Sequence, residues 1–333
     1  MASGSDRRAT LLRLITGHVR TQCVYVAAKL GVVDQIPIGG AARVDEIAQA
    51  VAANADALYR VLRTLAGEGL FIEVAPRTFS ATELGDLLRD GESSTRYVAL
   101  MHGEQTMPMF VHMLDSVRTG TSIPMLQHGM SRWEQLAGDP EESEIFNRAM
   151  RGRAHALAAV VLSLDWSGVQ TVVDVGGGTG GVLFPLLDHE RHLRATLFDL
   201  PHLETDARAA TAAAGLATRC DFVPGSFFEA VPGAADVYLL SNVLHDWDDA
   251  SAARILATCR AAVRADSRLV VVESLIPPGD TSSPVKTLDM QMLVVLGGRE
   301  RTYDEYDRLL AEAGFTLTNV TGETPAALEA RPV

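Results

Sequence analysis

Cysteine is scarce in this 333-residue sequence: Cys23, Cys220 and Cys259 stand far apart and form no CxxC pair. That spacing excludes a disulfide framework and a thiolate zinc site as organising devices. Long apolar runs are missing as well. The stretch from Ala156 to Leu164 falls short of the roughly 20 residues that a bilayer span needs. Leu11-Leu12-Arg13-Leu14-Ile15, near the start, is broken by Arg13 and too short for a secretory signal. Basic residues are outnumbered, 29 against 42 acidic ones, for a formal charge of -13. Such a chain repels phosphate backbones and anionic lipid. A soluble, cytoplasmic protein is expected, acting on a small or neutral ligand and partnered by neither nucleic acid nor membrane.

Two halves with different periodicity are present. Up to about residue 160 the apolar positions recur at helical spacing, as in Leu11, Leu12, Ile15 and Val19, then Val24, Ala27, Ala28 and Leu30 before Gly31. Val44 to Ala48 and Leu58 to Leu65, followed by Gly69-Leu70-Phe71-Ile72, predict two helices and a short hairpin, the outline of a winged helix. A DNA-binding regulator is one class of function with that outline, and the acidic charge counts against it. From Thr171 the period shortens, and Val172-Val173, Ala195 to Phe198, Val237 to Leu240 and Leu269 to Val272 alternate with helical stretches. Strand and helix in alternation predict a parallel α/β sheet. The boundary is placed at 162/163, with 1–162 as a helical domain and 163–333 as a Rossmann-like domain.

Thr171-Val172-Val173-Asp174-Val175-Gly176-Gly177-Gly178-Thr179-Gly180-Gly181 is a buried strand that enters a glycine-dense turn. Glycine there allows positive φ and lets a ligand approach the backbone. Gly176, Gly178 and Gly181 satisfy GxGxxG, with Asp199 about 20 residues on, so a nicotinamide oxidoreductase fits the same pattern. Two features tilt the choice. Asp174 would repel a pyrophosphate but can pair with an ammonium group. The later strands end in Gly225-Ser226-Phe227-Phe228 and Ser241-Asn242-Val243-Leu244-His245-Asp246-Trp247, which a nicotinamide site does not require.

With Asp-Val-Gly-Gly-Gly-Thr-Gly at 174–180, Asp199-Leu200-Pro201, Gly225-Ser226-Phe227-Phe228, Leu244-His245-Asp246-Trp247-Asp248 and Glu300-Arg301-Thr302, the chain resembles the S-adenosylmethionine-dependent small-molecule O-methyltransferases. Its N-terminal stretch, from Thr16-Gly17 to Leu30-Gly31, is similar to that of phenazine methyltransferases. The resemblance implies a helical dimerisation domain containing a winged helix, then a Rossmann-like class I methyltransferase domain, in a homodimer. It implies that Asp174, Gly176, Gly178 and Gly180 hold the methionine part of S-adenosylmethionine. Asp199 would hold the ribose and Ser226 with Phe227 the adenine, and Leu200 and Ser241 would complete the set. The family more often has Asp where Ser226 stands, so a weaker, uncharged hydrogen bond is expected there.

For the acceptor a pocket is expected with Phe146 and Met150, on the helix that the resemblance implies covers cofactor and substrate, and with Asn242, Met290 and Asp246, the last of which could instead merely begin the next helix. Six methionines between 101 and 130 are expected to join it, since flexible thioethers suit flat rings. His245, at the carboxyl end of a strand, is the expected general base for removing a hydroxyl proton, with Glu273 or Glu300 orienting its ring. Methylation of a ring nitrogen needs no base, so the histidine favours oxygen as acceptor, with nitrogen as the alternative. Glu300 can instead form a surface ion pair with Arg299 or Arg301. Asp246, Asp248 and Asp249 are read as a helix start, and no metal is expected.

Overall fold

The structure, a computed structural model, describes residues 4–91 and 94–333. They fall into two compact units, one of residues up to Val111 with Asp139–Gly152, the other of His112–Gly138 with Arg153–Val333. In the first, helix Val44–Ala50 buries Val44, Ile47 and Ala48, and helix Ala55–Gly67 buries Leu58, Leu62 and Leu65, the spacing that turns one face inward. Asn54 caps the second helix by accepting the Ala57 N–H at 2.9 Å. Strand β1 (Ala42–Arg43) pairs with β3 (Thr78–Ala81), which forms a hairpin with β2 (Phe71–Ala75). Two helices and a hairpin are the winged-helix outline that the sequence predicts. Leu11, Leu12, Leu14 and Ile15 on helix Gly4–Ile15 remain between 52% and 70% exposed.

The second unit is built on a seven-stranded sheet of β4 (Thr171–Val175), β5 (Arg194–Asp199), β6 (Cys220–Pro224), β7 (Val237–Ser241), β8 (Arg268–Glu273), β9 (Phe315–Gly322) and β10 (Ala326–Pro332). Their order is β6-β5-β4-β7-β8-β10-β9; the first five run parallel, and β10 is antiparallel to both neighbours. The two-residue alternation of strand side chains divides the core. Val172, Leu197, Leu239, Val270 and Val272 pack with Leu183, Leu186 and Leu187 on one face. Val173, Tyr238, Leu240, Leu269 and Val271 pack with Ile255, Leu256, Leu309 and Leu310 on the other. Helices cover both faces, which is why these strands read as unbroken apolar runs. Strand order reverses between β4 and β7, and in such sheets the crevice outside the carboxyl ends at that point is where ligands bind. Among the described residues no helix is long and apolar enough to cross a membrane.

Candidate active site

The glycine turn leaves the carboxyl end of β4 and is tied to β5 from two sides. Gly176 donates its N–H to Phe198 O at 2.8 Å, and Gly178 donates to Oδ2 of Asp199 at 2.8 Å. The other oxygen of Asp199 accepts from Leu200 N at 2.7 Å. Gly177 lies so close above Asp174 that a Cβ there would sit 2.6 Å from Oδ2, whereas a Cβ on Gly178, at φ 57°, would meet nothing within 4 Å. The turn thus closes over Asp174 and opens outward at Gly178.

Asp174 is 1% exposed, and its Oδ1 has no hydrogen-bond partner. Burial, helped by the Asp199 carboxylate, pushes its pKa from 3.8 up to about 7. Burial also raises Asp199, against the two amides that it accepts. Ser241, at the end of β7, has a buried Oγ that likewise lacks a partner. Orphaned acceptors beside an open glycine turn suit a ligand that carries an ammonium group and hydroxyls, and S-adenosylmethionine has both. Phe227 follows β6 and packs edge-on to Phe228, at 5.0 Å between ring centres, and to Trp247 at 5.9 Å.

His245 lies in a single turn, Leu244–Asp246, just beyond β7, and is 5% exposed. Its Nδ1 is 2.8 Å from Oε1 of Glu300 and 3.6 Å from Oε2 of Glu273; its Nε2 is 3.2 Å from Oδ1 of Asp246. The acceptor that fixes the ring is therefore Glu300. Glu273, at the end of β8, serves the backbone instead, since its Oε1 accepts the N–H groups of Val243, Leu244 and His245 at 3.1, 2.8 and 3.3 Å. Burial lowers the proton affinity of His245, but the carboxylates of Glu273 and Asp246 and the hydrogen bonds to Asp246 and Glu300 outweigh it, and the pKa stands well above 6.5. Glu273 is raised by burial to about 7, with the His245 charge opposing the rise.

Glu300 is 1% exposed, so the surface ion pair is not its role; Arg299 and Arg301 pair with Asp249 instead. Asp248 caps helix Asp249–Ala262 by accepting from Ser251 N at 2.7 Å, the helix start expected of that acidic group. His245, Glu273 and Glu300 offer one nitrogen and two oxygens within 4.8 Å of one another, a donor set that could also hold a divalent cation. Asn242 follows β7 in the left-handed region at φ 52°, and Met290 lies on helix Pro284–Gln291. Phe146 and Met150 lie on helix Pro140–Leu162 and pack against the N-terminal core. The six methionines do not share one environment: Met101 is in that core, whereas Met125 and Met130 are 43% exposed. Arg301, which the sequence marks as part of the Glu300-Arg301-Thr302 motif and as a possible partner for Glu300, is fully buried beneath the His245 turn.

The family model for an O-methyltransferase domain matches residues 110–316, and that for an O-methyltransferase dimerisation domain matches residues 12–90. The chain belongs to the O-methyltransferase family. The phenazine O-methyltransferase PhzM of Lysobacter antibioticus is 42% identical over 327 residues, covering 97% of this chain and 96% of that protein. The crystal structure of LaPhzM is similar with a TM-score of 0.92 at 41% identity, covering 98% of this chain and 99% of that one. NcsB1 from neocarzinostatin biosynthesis, solved with S-adenosylmethionine and 2-hydroxy-5-methyl naphthoic acid, is similar with a TM-score of 0.82 at 34% identity, covering 94% and 96%. This O-methyltransferase uses S-adenosylmethionine as methyl donor, which displaces both the nicotinamide oxidoreductase and the DNA-binding regulator.

Proposed function

We propose that the chain methylates a hydroxyl of a small, polycyclic aromatic secondary metabolite, a phenazine being the first candidate, with His245 as general base. The observation that carries this reading is the 2.8 Å contact of His245 Nδ1 with a buried glutamate, at the carboxyl end of the strand beside the glycine turn. When bound, S-adenosylmethionine supplies a sulfonium methyl group that needs no further activation. The chain's residues then have to hold the acceptor oxygen in line and to remove its proton. We assign the cofactor to Asp174, Gly176, Gly178, Gly180, Asp199, Leu200, Ser226, Phe227 and Ser241. We assign the acceptor to Asn242, Asp246 and Met290, with Phe146 and Met150 as the contribution that the family resemblance implies from the N-terminal domain.

In the neutral ring, Nδ1–H donates to Glu300 and the lone pair is on Nε2, where it can accept the hydroxyl proton as the oxygen–carbon bond forms. The surrounding carboxylates of Glu273 and Asp246 and the hydrogen bonds to Asp246 and Glu300 raise the proton affinity of the ring, and only its neutral form can accept the hydroxyl proton. The arrangement trades population for strength. Proton transfer from a phenol of pKa about 10 to an ordinary imidazole of about 6.5 costs about 4 to 5 kcal/mol. Each pH unit by which the site raises the imidazole removes about 1.4 kcal/mol of that cost. No metal belongs to this reading.

For the N-terminal domain, 1–162, we propose dimerisation and for 163–333 the cofactor and the chemistry. The exposed row Leu11, Leu12, Leu14 and Ile15 supports a homodimer, because it offers an apolar face that overlaps the residues matching the dimerisation domain. The test is transfer of labelled methyl to hydroxylated phenazines and other polycyclic phenols by the wild type and by His245→Ala, with cofactor binding followed by calorimetry. An O-methyl product, with a loss of roughly 10² to 10⁴ in rate in the variant and cofactor affinity retained, is expected. Transfer indifferent to His245, or methylation of a ring nitrogen, would overturn the assignment.

A further inference from the structure

We propose that Arg301 is a positioning residue for methyl transfer, a buried guanidinium fork that locates the turn presenting His245. The proposal rests on the assignment of His245 as base. The turn Leu244–Asp246 is too short to satisfy its own backbone, and the chain then runs into the cap of the next helix. Its groups are satisfied from outside. From one direction Glu273 takes three successive N–H groups at 243–245. From the other, Arg301 donates from Nη1 to Leu244 O at 2.9 Å, from Nη2 to Trp247 O at 2.9 Å and from Nε to Oδ1 of Asp249 at 2.9 Å. The two carbonyl contacts therefore grip the chain one residue before His245 and two residues after it, and the Asp249 pair lies outside that grip.

The neighbours of Arg301 act in the same place. Arg299 N donates to His245 O at 2.8 Å, Glu300 holds the ring, and Gly298 approaches so closely that a Cβ would lie 2.2 Å from His245 O. This segment leaves an irregular helical turn, Met292–Leu296, through Gly297 in the left-handed region at φ 82°. Leu275 bridges to Arg301 and Ile276 N donates to Arg301 O at 3.0 Å, so the strap is itself anchored beside the end of β8.

The ion pair with Asp249 does not by itself account for a guanidinium at this place. Arg301 is 0% exposed, and burying a cation is unfavourable unless its N–H groups are paired. Its carboxylate partner, Asp249, has a side chain that is 59% exposed, where an ion pair contributes little. What a buried planar fork does that a lysine cannot is hold two carbonyls, one on either side of His245, at a fixed separation. Reaction geometry is sensitive on this scale, a misplacement of about 1 Å being able to cost on the order of 100-fold.

The experiment compares Arg301→Lys and Asp249→Asn with His245→Ala in the full-length protein. It reads kcat and KM for cofactor, the thermal transition, and the ring nitrogens of His245 by NMR, assigned from the His245→Ala spectrum. A positioning role predicts that Arg301→Lys lowers kcat about 10- to 100-fold with KM for cofactor within about twofold, the loss tracking geometry. It also predicts that His245 titrates closer to its ordinary value in that variant, with the pH profile of kcat moving the same way. Asp249→Asn should keep kcat within about threefold, because it leaves both carbonyl contacts in place. A folded Arg301→Lys with unchanged kcat and unchanged His245 titration overturns the proposal. So does an Asp249→Asn that loses tenfold or more, a comparison that holds even if Arg301→Lys does not fold. A wild-type rate in His245→Ala would instead sink the base assignment itself.

Discussion

Asp174→Asn should make the protein more stable at alkaline pH, with cofactor absent, and less stable in acid. The wild-type carboxyl is 1% exposed with one oxygen unpaired, and its pKa rises from 3.8 to about 7. Between those two values the folded state holds a proton that the unfolded chain has released. Stability therefore falls as pH rises through that window and levels off above pH 7. At about 1.4 kcal/mol per pH unit, the gap from 3.8 to about 7 is worth about 4 kcal/mol at pH 8. Asparagine removes that cost but buries an amide with too few partners, at about 1 to 3 kcal/mol. The balance is a gain of about 1 to 3 kcal/mol at pH 8 that shrinks with falling pH and reverses as pH approaches 4. Urea unfolding of wild type and variant at pH 4.5, 6 and 8, without cofactor, measures it. A difference independent of pH would refute the reasoning. On the proposed binding role, the same variant should bind S-adenosylmethionine more weakly by calorimetry.

Further outcomes follow from the histidine cluster and the N-terminal helix. On the proposed base role the competent form is the neutral ring, and since its pKa is raised, kcat/KM should climb with pH along a limb lying above 6.5; a profile flat from pH 6 to 9 contradicts this. Glu300→Gln removes the anionic partner of Nδ1, so kcat should fall by about 10² while that limb moves down toward 6.5, as stopped-time methyl transfer across pH would show. Glu273→Gln should act chiefly on stability, lowering it by about 1 to 3 kcal/mol in urea, since Oε1 organises three backbone amides. Leu14→Glu with Ile15→Glu should give a monomer by light scattering with an unchanged circular dichroism spectrum, because both side chains are exposed in the single chain. A dimer that persists at micromolar concentration would remove that face from the interface.

The parts of the fold legible in the sequence are those where local pattern and tertiary place agree. β4, β5, β7 and β8 are buried on both faces and show as apolar runs, and the glycine turn shows because backbone geometry restricts its residues. β9 is harder to see, since Thr316, Thr318, Asn319 and Thr321 give it the look of a polar loop; it is an edge strand with solvent along one side. At the site, His245 is visible through its place after a strand, and both glutamates through the family pattern. Which glutamate holds the ring is not, because Glu273 and Glu300 differ only in what they meet after folding. Arg301 is hidden for the same reason, its partners being carbonyls more than 50 positions away, which carry no residue signature.

The last of the sheet's strands in chain order, β10, lies between β8 and β9 rather than at an edge. During synthesis β8 must therefore wait with one flank open while β9 emerges, and only then receive its neighbour. Until that insertion, Arg268 on β8 lacks Glu329, the buried partner it meets at 2.6 Å. The turn that carries His245 hangs from the end of this same β8 through Glu273. A nascent chain can thus assemble the glycine turn early, on β4 and β5, whereas β8, which carries Glu273, gains its second neighbour only from the final strand.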